Sequence, residues 1–381
     1  MKTPGEKVFF VAWLGFICCL SISFPLWIPV NNLYPPVPVF EFVSSLPGAL
    51  NYIISILFIS LLFISNSHKF QVRGIILSAL TLLVLALSFD FLRIQPWVFY
   101  YFFVLLTFAV HPINRESDVL NVIRMMLACI YFWSGIQKLN HTFLFDTYPW
   151  LIEPMTSFIA EGFASTLTST ALLAPAIEII CGVGLLFKKT QKISMYLLVF
   201  MHAFILLMLG PIGHNSNVVI WPWNISFAII LYLLFKAETN FSIKTFFQPE
   251  NRIYKTGIFI LFGLLPALSF FNLWPMYFSS ALYSSNKVKS EIFLPEELKE
   301  KLPERVIEKI DPQTNGLILN LWTQNELNVA SYPNAQVHKK TFISLCNTYP
   351  DYEMEMVLVT KSKPNIFTGE TDESTFFCDE L

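Results

Sequence analysis

The sequence predicts an all-α polytopic membrane bundle of about nine transmembrane helices, followed by a small C-terminal α+β extracytoplasmic domain. Of the 381 residues, 54% are hydrophobic and only 14% are charged, whereas a soluble domain usually carries about 25% charged residues. Apolar runs of about 20 residues, the length of helix that crosses a hydrocarbon core, recur before position 277. Basic residues flank these runs on alternate sides, which is typical of membrane proteins.

The predicted membrane-spanning segments are helices, because lipid offers no hydrogen-bond partner to an exposed backbone. They lie near residues 8–30, 49–66, 73–92, 97–111, 121–139, 168–187, 192–212, 217–236 and 256–276. Residues 31–48 form a proline-rich outer loop, and residues 149–165 are predicted to be an amphipathic helix at the outer interface. The transmembrane domain therefore covers residues 1–276, and a soluble domain covers residues 277–381.

The placement of lysine and arginine predicts a cytoplasmic N-terminus. The outer connections then carry only Arg93 and Lys138. The inner segments carry Lys2, Lys7, Lys69, Arg73, Arg115, Arg124, Lys188, Lys189, Lys192, Lys236, Lys244, Arg252 and Lys255. The C-terminal domain is then periplasmic, extracellular or lumenal. There, Cys346 and Cys378 either form a disulfide or remain two unpaired thiols.

Within the C-terminal domain, the sequence predicts a charged helix over Pro295–Lys309 and a second helix over Ala335–Thr348. Gly316–Thr323 and Met354–Thr360 are predicted strands, because their residues alternate between apolar and polar or form a short apolar run. The net charge of −2 argues against a nucleic-acid partner. No CxxC motif occurs, so neither a zinc site nor a thioredoxin-type motif is indicated. The lipid bilayer is the expected partner.

Ionisable residues within the predicted spans are the candidate functional residues, because charge inside a membrane is costly. They are Asp90, Arg93, Lys138, Glu178 and His202. Glu178 and His202 lie near the midplane at matching depth on adjacent predicted spans, and the others, together with Trp221 and Asn224, lie in the outer half of the bundle, which predicts an outward-opening pocket. Each has an alternative: Asp90 and Arg93 at i, i+3 pair with each other, and Lys138 extends to the headgroups. Glu178 is a structural partner of His202 or a proton carrier, and His202 alone would be a packing residue.

A proline in the eighth predicted span marks a second feature of the outer half. Pro222 lies between two tryptophans in the sequence Trp221-Pro222-Trp223-Asn224, and it removes a backbone donor and kinks the helix. A broken helix in a membrane protein lines a cavity or packs against protein. An ordinary kink with two interfacial tryptophans is the alternative.

The segment Tyr131-Phe132-Trp133-Ser134-Gly135-Ile136-Gln137-Lys138-Leu139-Asn140 resembles a signature of the HTTM and vitamin K-dependent γ-carboxylase family. It is also similar to the opening of DoxX and MauE membrane proteins. Pro175-Ala176-Ile177-Glu178 with Gly182 resembles the second DoxX helix, His202 falls at a family histidine, and the segment from Asp90 to Trp97 is similar to an HTTM segment. The resemblance covers residues 75–235.

The resemblance implies an extracytoplasmic site in a bacterial inner membrane. It implies that Lys138 is a base acting on a quinone or hydroquinone lipid. We group Lys138 with Glu178 and His202 as the catalytic candidates. The expected substrate-binding residues are Asp90, Arg93, Trp97, Trp221 and Asn224. The alternative is a non-catalytic DoxX/MauE-like redox or maturation accessory protein, with Cys129 and Cys181 as its redox pair and an exported protein as partner. A scaffold that presents the C-terminal domain is a third hypothesis, and a transporter is a weaker fourth.

Overall fold

The computed structural model describes residues 3–29, 31–66, 72–111, 115–236, 241, 243–247, 251–284, 288–360 and 369–380. It is mostly helical, at 67%. The helices before residue 277 are α1 Pro4–Ile22, α2 Phe24–Trp27, α3 Gly48–Ile64, α4 Val72–Leu87, α5 Pro96–Val110, α6 Glu116–Gln137, α7 Tyr148–Thr156, α8 Glu161–Thr168, α9 Leu173–Gly184, α10 Gln191–Leu209, α11 Ile220–Phe235, α12 Ile243–Phe246 and α13 Arg252–Phe259. A π-helical turn and a 3₁₀ stretch continue α13 to Phe271.

An apolar helix occurs at each predicted membrane-spanning segment, but the prediction of nine spans is not confirmed. Four helices among the described residues are long and apolar enough to cross a membrane: Pro4–Ile22, Glu116–Gln137, Gln191–Leu209 and Arg252–Phe271. The bent pair α8 and α9, with 41° between its halves, makes a fifth if it counts as one span. α3, α4, α5 and α11 are apolar but shorter, and at about 1.5 Å per residue they are shorter than a hydrocarbon core.

Two basic residues used to orient the chain, Lys2 and Lys69, lie outside the described residues. The predicted interfacial segment 149–165 forms two short helices, α7 and α8, of which α7 contains Pro154. Trp150 of α7 stacks on His214 with ring centroids 4.2 Å apart. The His214 ring also donates to the Trp150 carbonyl at 2.6 Å, so α7 is tied to the turn between α10 and α11.

The C-terminal part contains a four-stranded antiparallel sheet in the order β2-β1-β3-β4. Its strands are β1 Lys289–Phe293, β2 Leu317–Ile318, β3 Glu355–Thr360 and β4 Asp372–Phe377, and its helices are α14 Glu296–Lys299, α15 Glu304–Ile307, α16 Leu319–Leu327 and α17 Ala335–Thr348. Cys346, on α17, is joined to Cys378 by a disulfide.

Two sequence predictions for this domain need correction, and two strands were missed. The strand predicted over 316–323 is a strand only at Leu317–Ile318 and then continues as α16, which buries Leu319, Trp322, Thr323 and Leu327 at helical spacing. The helix predicted over 295–309 is two one-turn helices, because Pro303 interrupts it. β1 and β4 were not predicted, since Lys289–Phe293 and Asp372–Phe377 carry charged residues and lack a long apolar run.

The C-terminal domain rests on the end of the bundle where α1 ends and α5 begins. The Asn328 side chain donates to the Ile22 carbonyl at 2.9 Å, and the Gln95 amide donates to the Ala330 carbonyl at 3.1 Å. The Tyr277 hydroxyl donates to the Ser331 carbonyl at 2.7 Å. The two parts share one continuous buried apolar core, so the domain covers that end of the bundle.

Candidate functional site

Glycines allow α6 and α9 to pack with their backbones in close contact. A Cβ at Gly135 would lie 2.6 Å from the Pro175 carbonyl oxygen, and one at Gly182 would lie 2.6 Å from the Phe132 nitrogen. Small residues serve this purpose at helix interfaces in membranes. Lys138, which follows α6, is thereby brought against α9, and its side chain folds back toward Ser134, four residues earlier.

Lys138 and Glu178 form a buried ion pair between the two helices. The Lys138 amine lies 2.7 Å from Oε2 and 3.0 Å from Oε1 of Glu178, and it donates to the Ser134 hydroxyl at 2.7 Å. The residues are 8% and 4% exposed. Lys138 therefore does not extend to the headgroups, and all three ammonium hydrogens have protein acceptors within reach.

His202 belongs to a second polar group rather than to a pair with Glu178, which corrects that prediction. Its Nδ1 lies 2.7 Å from Asn224 Oδ1, and its Nε2 lies 2.5 Å from the Tyr131 hydroxyl. Asn224 Nδ2 donates to the Ile220 carbonyl, which fixes the amide orientation. A neutral imidazole then carries its proton on Nδ1 and accepts the Tyr131 proton at Nε2.

Both polar groups line one cavity of about 420 Å³. Its polar side chains include Lys138, Glu178, Ser134, Tyr131, His202 and Asn224. The rest of the wall is mostly apolar and comes mainly from α6, α7, α9, α10 and α11, with Leu282 and Tyr283 at the start of the C-terminal part. Cavities that bind small molecules have this composition of an apolar wall with a few convergent polar groups.

Trp223 adds a hydrogen-bond donor without a partner to this wall. The residue is 7% exposed, and its indole Nε1 is buried with no hydrogen-bond partner in the described part of the chain. Its ring meets Phe227 edge-on at 5.2 Å, and Phe227 in turn contacts the His202 ring at 5.8 Å. An aromatic cluster therefore surrounds the Tyr131–His202–Asn224 group, with one N–H available to an acceptor.

The other four predicted substrate-binding residues do not line this cavity. The Arg93 guanidinium donates hydrogen bonds to Asn51 Oδ1 at 2.7 Å and to backbone carbonyls that include Ala86 at 2.8 Å. Asp90 caps the short 3₁₀ turn by accepting from the Leu92 amide at 3.0 Å. Trp97 packs in the aromatic core against Phe16 and Trp27. Arg93 and Asp90 therefore hold nearby backbone, and Trp97 fills the core.

Trp221 also has a structural position. Its indole donates to the Leu209 carbonyl at 3.1 Å and holds the turn between α10 and α11. Cys129 and Cys181, the suggested redox pair, are both free thiols, and Cys129 packs near Gly263 in the continuation of α13. Among the described residues, no group of three His, Cys, Asp or Glu side chains could hold a metal.

Sequence reasoning missed three residues of the site: Tyr131, Ser134 and Trp223. Helical spacing was the signal that could have found the first two, because positions 131, 134 and 138 recur at i, i+3 and i+7 on one face. The same spacing relates Trp223 to Phe227, which lie at i and i+4 on one face of α11.

The fold and the site define a helical membrane protein with paired polar groups in an apolar cavity. A family model described as DoxX matches residues 119–210, the segment that holds Lys138, Glu178 and His202. The DoxX-like part of the sequence resemblance is therefore supported, whereas the comparisons give no support to an HTTM or γ-carboxylase relationship. No curated protein and no solved structure matched the chain.

Proposed function

We propose that this chain is a DoxX-like membrane accessory protein that binds a quinone-type ring lipid in the cavity beside Lys138 and Glu178. It would serve a redox or maturation system that acts on an exported partner. The observation that carries the proposal is the Lys138–Glu178 ion pair, which lies inside an apolar cavity and within the segment that matches DoxX.

The ion pair favours this non-catalytic role over the hypothesis that Lys138 is a base. A base needs a free electron pair that faces its substrate. The Lys138 amine instead donates to Glu178 and Ser134, an arrangement that suits a protonated ammonium. The pair then fixes the shape of the polar end of the cavity and offers hydrogen-bond acceptors on Glu178.

The lining residues fit a neutral ring with oxygen substituents. The charges of Lys138 and Glu178 compensate each other, so a charged headgroup would find no free counter-ion there. The unpartnered Trp223 N–H can donate to a carbonyl oxygen, and the Tyr131 oxygen can accept from a hydroxyl. The surrounding rings of Phe227 and Trp223 suit a planar ligand. A bound quinone would supply the electron chemistry, and the chain would supply orientation and hydrogen bonds.

The proposed orientation places the N-terminus in the cytoplasm and the C-terminal domain in the periplasm of a bacterial inner membrane. The Cys346–Cys378 disulfide supports an oxidising compartment for that domain. The cavity lies at the domain side of the bundle, since Leu282 and Tyr283 form part of its wall. The ligand would then be available to an exported partner.

Equilibrium binding of labelled short-tailed benzoquinone and naphthoquinone to the full chain in lipid nanodiscs tests the proposal. We expect saturable binding of at least one ring, weakened about tenfold or more by Lys138→Met and by Glu178→Gln, because each removes a charge-assisted hydrogen bond at the site. The matched control is Asp118→Asn, which weakens a second ion pair, between the buried Lys255 and the partly exposed Asp118 at 3.0 Å, outside the cavity.

The control variant should bind like the unmodified chain. No saturable binding of either ring, or equal loss in the Asp118 variant, would overturn the proposal. The enzyme hypothesis predicts a different pattern, in which ring binding persists in Lys138→Met while a substrate-dependent turnover is lost.

A further inference from the structure

We infer that the ligand is a long-tailed lipid whose tail leaves the cavity sideways between α9 and α10, directly into the membrane. This inference rests on the proposed function and specifies the class of ligand, its path and the residues along it. It follows from how the cavity is closed on most sides and where its lining residues reach the outer surface of the bundle.

Close packing shuts the cavity on its inner side. A Cβ at Gly184 would lie 2.2 Å from the Ser194 hydroxyl oxygen, so α9 and α10 touch where the chain turns from one to the other. α6 packs against α9 through Gly135 and Gly182. On the outer side, α7 contributes Tyr148, Leu151 and Met155 to the wall, and the Trp150–His214 contact holds this helix in place.

Between α9 and α10, residues that line the cavity are also exposed on the surface of the bundle. From α9 these are Leu173 at 58% and Ile177 at 39% exposure, and from α10 Leu197 at 41% and Phe200 at 69%. All four side chains are apolar, and they lie on helices of the membrane-spanning bundle. An opening with this lining excludes a polar ligand and suits an acyclic hydrocarbon tail.

Burial separates the polar residues of the cavity wall from the residues at the opening. Trp223 and Asn224 of α11 are buried, and so are Glu178 of α9 and His202 of α10, whereas the exposed lining residues of α9 and α10 are apolar. A ligand with a polar ring at one end and an apolar chain at the other matches this arrangement. The unpartnered Trp223 N–H is the donor we assign to an oxygen on the ring.

The inference is tested by measuring the binding of two labelled ligands that share one ring. One ligand carries a methyl substituent and the other carries a polyisoprenoid tail. Ile177→Trp and Leu197→Trp should weaken binding of the long-tailed ligand about tenfold or more, because several buried methylene groups lose their contacts. Binding of the methyl ligand should be weakened less than binding of the long-tailed ligand, since it lacks the tail that these side chains contact. Ile180→Trp on α9 is the control, because Ile180 is 69% exposed and does not line the cavity.

A second measurement uses the unmodified chain and so does not depend on how the variants fold. A photoreactive group at the far end of the tail should label α9 or α10 near Leu173 and Phe200. Unchanged binding of the long-tailed ligand in both tryptophan variants, or labelling confined to the C-terminal domain, would overturn the tail path and leave the ring site standing. Failure of both ligands to bind the unmodified chain would instead remove the proposed function.

Discussion

Oε2 of Glu178 lies 2.7 Å from the amine of Lys138, and this contact joins α9 to the end of α6 inside an apolar wall. Two charges in such a place stabilise each other but are costly when one stands alone. The pair is therefore a structural element of the bundle as well as the polar end of the cavity. Its removal should show these two effects separately.

Single and double substitutions at this pair should differ in stability. Lys138→Met or Glu178→Met alone should lower the free energy of unfolding by about 3 to 5 kcal/mol, because an uncompensated charge stays buried. The double variant should regain most of that stability but not ring binding. Thermal or denaturant unfolding in detergent measures the first effect, and nanodisc binding measures the second. Additive losses in the double variant would show that the two residues do not act as a pair.

Lys138→Arg separates an ion-pair role from a base role. A guanidinium keeps its charge and can still pair with Glu178, but it cannot act as a base in a protein. We expect ring binding to stay within about tenfold of the unmodified chain and a strain that lacks this protein to be complemented by the arginine variant. Complementation by the original chain but not by an arginine variant that still binds the ring would favour the enzyme hypothesis.

Close packing at Gly135 should tolerate no side chain. Gly135→Ala places a methyl group 2.6 Å from the Pro175 carbonyl oxygen, which should cost about 1 to 3 kcal/mol in stability through displaced helices. Gly257→Ala on α13 is the matched control, because a Cβ at this position would meet nothing within 4 Å apart from its chain neighbours and its own helix backbone. That control should be neutral or stabilising by about 0.5 to 1 kcal/mol, since glycine is a poor helix residue. Equal effects on the melting temperature would contradict the packing described for α6 and α9.

His338 should make the C-terminal domain sensitive to acid. Burial lowers the pKa of His338 to about 4, against an opposing hydrogen bond to the Tyr332 carbonyl, and its two ring nitrogens contact Ser290 and Tyr332. In the unfolded chain this histidine has a pKa near 6.5. Between this pH and pH 4 it therefore binds a proton in the unfolded chain but stays mostly neutral in the folded chain. Stability should therefore fall as the pH drops below about 6.5, by about 3 kcal/mol at pH 4.

His338→Gln should remove that dependence while retaining a donor for Tyr332. Unfolding of the full chain between pH 7 and pH 4, followed by a probe in the C-terminal domain, measures the slope for both proteins. An identical slope in the variant would show that other groups cause the acid sensitivity.

Labelling of single cysteines tests the orientation of the chain. Glu297→Cys lies at an exposed position of α14, and Lys188→Cys lies at an exposed position in the turn between α9 and α10. A membrane-impermeant maleimide added to intact spheroplasts should label position 297 and not position 188. Permeabilised cells should show label at both. Labelling at position 188 alone would reverse the orientation and place the C-terminal domain in the cytoplasm.

The apolar runs predicted where each bundle helix lies because backbone in lipid has few alternatives. They did not predict how the helices end: the span predicted over 168–187 is helical as α9 only over Leu173–Gly184, and the preceding α8 is bent from it by 41°. The C-terminal domain was predicted less well, because short strands such as Leu317–Ile318 depend on partners distant in the sequence.

The sequence predicted most of the polar residues of the site but not which of them pair with each other. Lys138, Glu178, His202 and Asn224 stand out as polar residues in apolar runs, and all four line one cavity. The matching depth of Glu178 and His202 favoured a pair between them. Glu178 instead pairs with Lys138, because the Lys138 side chain folds back along α6 and reaches it. Arg93 and Asp90 stand out equally well, but they bind backbone carbonyls and amides, which the spacing of polar residues along the sequence does not indicate.

The lipids retained by the protein during purification test the central claim, which is that a neutral ring lipid occupies the Lys138–Glu178 cavity. The chain is extracted from its own membrane with surrounding lipid, and the bound molecules are identified by mass spectrometry. We predict that a ring lipid with a long tail is enriched on the unmodified chain and on Ile180→Trp, and is lost from Ala174→Phe, which fills the cavity. Equal ring-lipid content on all three proteins, or none on any of them, would contradict the account.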